Sequence, residues 1–252
     1  MPNFPEFPGY TRGVKRLFAC LILGLAICPA AISDGPRYDD SGFVYARIRF
    51  HLPAFRVGFN QEGQVAWEHD YPNADELFPS VLGEVTSIHT TAMSYQIVDI
   101  DSPELFKFPF AYLCEPGFLE LTSKDAANLR EYLDRGGFVM VDDFRGYRDL
   151  EHLRQQMKLV YPDRDIVPLD IHHPIFHSFY EIETLDMPPP YGPGPVEFLG
   201  LSDSHGNLKL VVDYNNDLSE FWEWLDKGQL PLHEAATSLK FGVNYVLYAM
   251  TH

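Results

Sequence analysis

Two adjacent acids, Asp142-Asp143, close an apolar run, and a proline-bound histidine pair, His172-His173-Pro174, comes after a short β-like run over Asp165 to Leu169. A carboxylate set against an imidazole can move protons near neutral pH. With one or two histidines it can also hold a hard or borderline divalent metal. Asp142, Asp143, His172 and His173 are therefore the candidate catalytic set, provided both runs end on the same edge of a sheet. The architectural reading is equally concrete, since His-Pro pairs shape turns and an acid at a strand end caps the next element. Trp67, His69, Asp70 and Tyr71 form the candidate ligand-binding group in a loop. Aromatic and acidic side chains there can grip a sugar or peptide, or fold back and bury the Trp. Arg145 could hold an anion or pair with the neighbouring acids. Trp222 and Trp224 flank Glu223 and read as a period-two segment that fills the core.

Something must carry these residues. Phe43 to Phe50 alternates loosely at period two, Tyr95 to Val98 is strand-like, and Phe108 to Cys114 is an apolar run suited to burial on both faces. His51 to Asn73 carries Pro and Gly and reads as a long surface loop, leading into helical spacing over Ala74 to Ile88. From Leu121 to Gly136, Thr122 or Ser123 can cap a helix facing inward through Ala126, Leu129 and Leu133, and Gly136-Gly137 ends it. Phe138 to Val141 comes at once as a buried strand. Strand, helix, strand is one βαβ unit, which implies parallel pairing with helices on both faces. Two adjacent acids on extended chain point to opposite faces, so one of Asp142 and Asp143 is expected in the crevice at the strand's carboxyl end. Leu150 to Val160 is a second amphipathic helix, Val196 to Leu201 and Leu208 to Asp213 bracket a hairpin loop, and Ser238 to Met250 is a packing helix. Met187 to Pro195 is dense in Pro and Gly and reads as an ordered excursion or a lid.

The charge balance excludes one class of partner. Against 36 Asp+Glu stand 19 Lys+Arg, a net of −17 over 252 residues, and a polyanion such as nucleic acid would be repelled. Arg12, Lys15 and Arg16 precede a sixteen-residue uncharged run, Leu17 to Ile32, with a small-residue exit at Ala31-Ile-Ser33. These are the parts of a secretory signal. The run is shorter than the roughly 20 apolar residues of a membrane span and is broken by Pro29. The expectation is a cleaved signal over 1–33, a linker over 34–42 and one α/β domain over 43–252, periplasmic or secreted, with no membrane span after cleavage. The remainder holds 16 basic and 35 acidic residues, a net of −19, and one cysteine, Cys114, which cannot form an internal disulfide. A lone, apolar-flanked cysteine reads as inert packing.

Five segments in order carry a resemblance. They are Trp67-Glu-His-Asp-Tyr-Pro72; Asp101-Ser-Pro-Glu-Leu-Phe106 with Pro109-Phe-Ala-Tyr112; Leu129 to Phe138 running into Asp142-Asp143; His173-Pro-Ile-Phe176 with Phe179-Tyr180; and Gly242-Val-Asn-Tyr-Val-Leu-Tyr-Ala249. Together they resemble the bacterial domain of unknown function 4159 family, from about Phe43 to Met250. The resemblance implies a flavodoxin-like, class I glutamine amidotransferase-like three-layer sandwich with a mostly parallel central sheet. It implies no established activity. In glutamine amidotransferases the nucleophilic Cys sits on a sharp turn after a central strand, and on that alignment Asp142-Asp143 stands there instead. A carboxylate cannot replace a thiolate in glutamine hydrolysis, so that reaction is not expected.

The residues point to one function first and leave a second as the alternative. The first is a non-catalytic exported module that has lost its nucleophile and binds an envelope protein or glycan. The second is a metal-assisted or Asp/His-dependent hydrolase acting on a saccharide or amide. No organic cofactor is called for, and a divalent metal is compatible with the acids and histidines. The chain has no Gly-x-Ser-x-Gly elbow, His-Glu-x-x-His, phosphate loop or Gly-x-Gly-x-x-Gly turn, so serine hydrolase, zincin, nucleotidase and dinucleotide chemistry lack their usual residues.

Overall fold

Phe110-Ala-Tyr-Leu-Cys114 shows how the molecule is layered. Phe110, Tyr112 and Cys114 join one apolar cluster, Ala111 and Leu113 join another, and all five are buried. Only a strand covered on both faces does this. The protein is seen in a computed structural model that describes residues 42–52, 65–188, 190 and 194–252. The expected signal segment and nearly all of the linker lie outside the described residues.

Seven strands form one sheet: β1 (Tyr45–Arg49), β2 (Tyr95–Asp99), β3 (Phe110–Cys114), β4 (Phe138–Asp142), β5 (Val167–Pro168), β6 (Glu197–Ser202) and β7 (Leu208–Tyr214). Their order is β2-β1-β3-β4-β7-β6-β5. The first five run parallel, whereas β6 is antiparallel to β7 and β5 to β6. Helices α2 (Ser123–Asp134) and α3 (Tyr147–Val160) cover one face; α1 (Asn73–Val85), α4 (Leu218–Glu223) and α5 (Leu232–Thr251) cover the other. The chain is thus a mixed α/β protein with a mostly parallel sheet flanked by helices. No helix among the described residues is long and apolar enough to cross a membrane.

The expected βαβ unit is β3–α2–β4. Thr122 caps α2 by accepting from Asp125 N at 3.2 Å, and Asp125 answers by accepting from Thr122 N at 2.7 Å. Helix α3 begins at Tyr147, three residues before the first periodic apolar position, because Gly146 at φ +81 turns the chain into it. The Trp222 segment is a correction. It lies in a helix, α4, not in a period-two segment, with Trp222 buried and stacked on Phe78 of α1 at 4.2 Å.

Gly136 and Gly137 do different work. Gly136 adopts φ +97 with nothing near where a Cβ would stand, whereas a Cβ on Gly137 would lie 2.3 Å from the ring of Tyr132. That ring is fully buried and its hydroxyl donates to Phe138 O at 3.1 Å, so it has nowhere to turn. Gly136→Ala should cost about 1 kcal/mol of left-handed strain, and Gly137→Ala about 3 kcal/mol of overpacking. Urea denaturation of the two variants measures the difference, and equal midpoints would contradict the close approach.

Candidate functional site at the carboxyl edge of the sheet

The site begins with a buried cation. Arg47, on β1, is 1% exposed. Its Nε lies 2.9 Å from both carboxylate oxygens of Asp75 in the first turn of α1, and its Nη2 lies 2.7 Å from Asp75 Oδ2. Tyr45 donates to the same carboxylate at 2.7 Å. Arg47 Nη1 donates to the carbonyls of Trp67 and His69, each at 3.0 Å, and to Cys114 Sγ at 3.3 Å. The guanidinium therefore pins the loop between β1 and α1, and that loop carries His69 and Asp70.

Residues from four connections meet there. Asp70 comes from the pinned loop, Glu115 comes just after β3, Asp142 ends β4 with Asp143 next to it, and Asp217 lies beyond β7 as the cap of α4. Asp70, Asp142, Asp143 and Asp217 are each at most 3% exposed. Ser219 in α4 knits them together. Its backbone N donates to Asp142 Oδ2 at 3.0 Å, and its hydroxyl lies 2.5 Å from Asp70 Oδ2, 3.1 Å from Asp217 Oδ1 and 2.6 Å from the Tyr112 hydroxyl. His69 Nδ1 makes a short hydrogen bond with Asp143 Oδ2 and stands 3.6 Å from Asp70 Oδ1. One ligating atom from each of His69, Asp70, Asp143 and Asp217 lies within 4.8 Å of all the others, and Asp70, Glu220 and Glu223 form a second such group.

Backbone strain concentrates at the same edge. Among the described residues the non-glycine positions with positive φ are Asp70 (61°), Glu115 (47°), Asp143 (57°) and Asn215 (54°). Such strain collects where the surroundings impose it, often at functional sites. At Asp143 it has a direct result, because alternation stops at Asp142. The left-handed residue swings the second acid back, so both acids enter the cluster. The expectation that they diverge to opposite faces is corrected here.

The candidates from the sequence divide. Asp142, Asp143, His69 and Asp70 come together; His172 and His173 do not join them. His173 sits 5.7 Å from the Tyr248 ring, which itself sits 5.7 Å from the ring of Phe138 at the opposite end of β4. Four residues of strand separate that end from Asp142, about 13 Å. His172 is exposed, and its N–H donates to Asp170 Oδ1 at 2.8 Å. His173 Nδ1 accepts from Ile175 N at 3.2 Å and caps a short turn. Burial, and after it His252, lowers its pKa. The pair shapes a turn. Trp67 packs half-buried on the core, and Tyr71 stacks edge-on against Tyr95 at 5.9 Å. Arg145 is exposed on the rim, where its charge acts on Glu115. Asp217 and Ser219 were not among the residues that the sequence singles out. Their signal is Asn215-Asn216-Asp217 at the end of a strand, but it points to this edge only once β7 is known to pair parallel with β4.

Asn215 links the rim to the Pro-rich excursion. Its Oδ1 accepts from Gly146 N at 2.9 Å and its Nδ2 donates to Pro195 O at 2.8 Å. Asp143, Arg145, Pro190, Asn215 and Asn216 line a small pocket beside it.

Buried carboxylates this close cannot all stay charged. Burial lifts Asp142 to about 7 against backbone donors that favour its charge, and lifts Glu115 to about 7 against the pull of His69 and Arg145. Asp143 and Asp217 are pushed well above the ordinary range by burial and then by their acidic neighbours. Burial works against the charged form of His69, but Asp70, Asp217, Glu115 and Glu220 outweigh it and its pKa rises. All these shifts have one sign. A group whose pKa is raised on folding favours the native state fully below its unfolded value, about 4 for these acids, and loses that contribution as pH rises through the folded value. The thermal midpoint of chelator-treated protein should fall from about pH 5 to about pH 8, and Asp143→Asn should flatten the fall. A midpoint that climbs over this interval would contradict the assignment.

The family model described as Domain of unknown function (DUF4159) covers residues 55–250, and no curated protein matches the chain. The coverage takes in the pinned loop from Trp67 and all four connections that supply the acids, and on it this chain belongs to the DUF4159 family.

Proposed function

We propose that the carboxyl edge of the sheet is the active centre of a hydrolase, metal-assisted or Asp/His-dependent, acting on a saccharide or an amide. One observation carries the reading. Four buried acids, three strained acidic residues and a half-buried histidine are gathered at the sheet edge where open α/β proteins accept ligands. Packing alone gives no reason for this arrangement, because it opposes stability. In the Asp/His-dependent form of this reading, where no cation is bound and His69 against Asp143 is the base, a water gives up its proton as its oxygen bonds to the substrate carbon. The C–O or C–N bond then breaks, and the leaving oxygen or nitrogen takes the proton back.

The scaffold is flavodoxin-like and class I glutamine amidotransferase-like in this reading. The parallel strands β2-β1-β3-β4-β7 succeed one another in the 2-1-3-4-5 order of that group, which supports it. Asp142-Asp143 then occupies the nucleophile's turn. Cys114 offers no substitute thiolate: it is buried, donates to Ala66 O at 3.2 Å, and burial pushes its pKa up. The reaction is therefore not glutamine hydrolysis. The basic, apolar and small-residue succession over residues 1–33 supports export with cleavage, leaving one domain over 43–252 in the periplasm or outside the cell. Mass spectrometry of the N-terminus of protein from the native envelope tests that part.

The competing reading is a non-catalytic module for an envelope protein or glycan. Asp143→Asn and His69→Gln separate the two. Each should lower hydrolysis on a panel of glycosides and amides at least about 100-fold, the scale of a general base, and each should fail to complement a deletion strain. After chelator treatment Asp143→Asn should at the same time be the more heat-stable protein, since it relieves the crowding of buried acids at the rim. Full complementation by both folded variants would favour the binding module instead.

A further inference from the structure

We infer that His69, Asp70, Asp143 and Asp217 hold one divalent cation, which takes the place of the proton shared between His69 Nδ1 and Asp143 Oδ2. The inference rests on the hydrolase reading and specifies its centre. The four ligating atoms lie within 4.8 Å of one another. Ligands around a small cation at about 2.0–2.2 Å stand roughly 3–4.4 Å apart, so a single ion requires His69 and Asp143 to part and the widest of the four atoms to draw in slightly, changes on the scale of side-chain rotation.

A second observation points to a missing partner. Asp217 is 0% exposed, its Oδ2 meets no donor among the described residues, and its carboxylate stands in hydrogen-bond contact with that of another acid, Asp143, so that a proton or a cation must lie between them. Its Oδ1 is occupied, accepting from Glu220 N at 2.9 Å. Ser219 cannot satisfy the remaining oxygen. Its one hydroxyl hydrogen goes to Asp70 Oδ2 at 2.5 Å, while Tyr112 supplies the hydrogen that Ser219 Oγ accepts. Arg47 is bound to Asp75 and to two loop carbonyls, so its charge is already matched. A buried carboxylate oxygen left bare costs free energy unless a cation or a proton meets it.

The other ligand-like groups lack this feature. In the His51, Asp101 and Asp125 group, Asp125 is committed to the cap of α2 and Asp101 to Lys124 at 2.7 Å. The donor set at the rim is one imidazole nitrogen and three carboxylate oxygens. Carboxylates alone would suit Mg²⁺ or Ca²⁺; the imidazole shifts the preference to Mn²⁺, Fe²⁺ or Zn²⁺. Three carboxylates leave one negative charge around a divalent ion, which holds it without a further anion.

The test uses full-length, untagged protein dialysed against chelator and titrated with Mn²⁺ and, separately, Zn²⁺ by calorimetry, with elemental analysis of the product. One ion per chain is expected, with a ¹⁴N coupling in pulsed EPR of the Mn²⁺ form that disappears in His69→Gln. Asp217→Asn should weaken Mn²⁺ binding by more than about 10-fold, the loss that even outer partners of a metal cause. Asp213→Asn, which alters a buried carboxylate bound to Tyr245 outside the group, should leave it within about twofold. Should neither ion bind while the hydrolysis lost in Asp143→Asn is present in the wild type, the cation is overturned and the hydrolase stands. Binding with the nitrogen coupling, in a protein that hydrolyses nothing and complements when Asp143 is changed, keeps the cation and overturns the hydrolase. Binding unaffected by Asp217→Asn overturns the ligand set.

Discussion

A guanidinium taken out of water must be matched on every side, and at Arg47 that requirement organises the site half of the molecule. Its acceptors are Asp75 of α1, the carbonyls of Trp67 and His69, and the sulfur of Cys114. One side chain thus ties together the first strand, the first helix on that face, the loop between them and the third strand. Removing one partner of such a pair leaves a bare buried charge, typically at a cost of about 3–5 kcal/mol. It would also release the loop that aims His69 and Asp70 at the end of β4. The charge of Arg47 stays inside its own pairing, which is why the acids beyond it must find another counterpart.

The acids and the strain lie at the end of the parallel strands, and the uncomplicated packing lies elsewhere. Phe198 on Phe241, Phe78 on Trp222 and Phe110 on Phe138 stack through the face covered by α1, α4 and α5, at centroid distances of 4.2 to 6.2 Å. That apolar face and the α2–α3 face supply stability that the rim draws down. This division between a rigid body and a costly edge is common where an α/β sheet accepts a ligand.

How far the sequence foretells this depends on the range of the contacts involved. Helix α2 is readable to its cap because Thr122, Asp125 and the two glycines act within a few residues. The β6–β7 hairpin is local as well. Arg47 is not readable: the alternation of β1 puts Arg47 and Arg49 in like positions, and Asp75, a partner from another element, decides that one is buried while the other pairs with Asp99 at the surface. The histidine partner expected for Asp142-Asp143 fails for the same reason. β5 enters the sheet at its far edge, antiparallel to β6, and no local pattern fixes where the turn after it comes to rest. The acids themselves are visible as the end of a buried strand, but their turning inward together depends on one dihedral angle at Asp143.

The amide of Asn215 holds Gly146 on one side and Pro195 on the other, with its own backbone in a left-handed conformation. A single residue therefore latches the turn behind Asp143 to Pro195, the last residue before the lead-in to β6. Neither Gly146 nor Pro195 can draw away without undoing a bond to that one side chain, so the posture of the acid's turn and the approach of the chain to β6 are mechanically geared to each other.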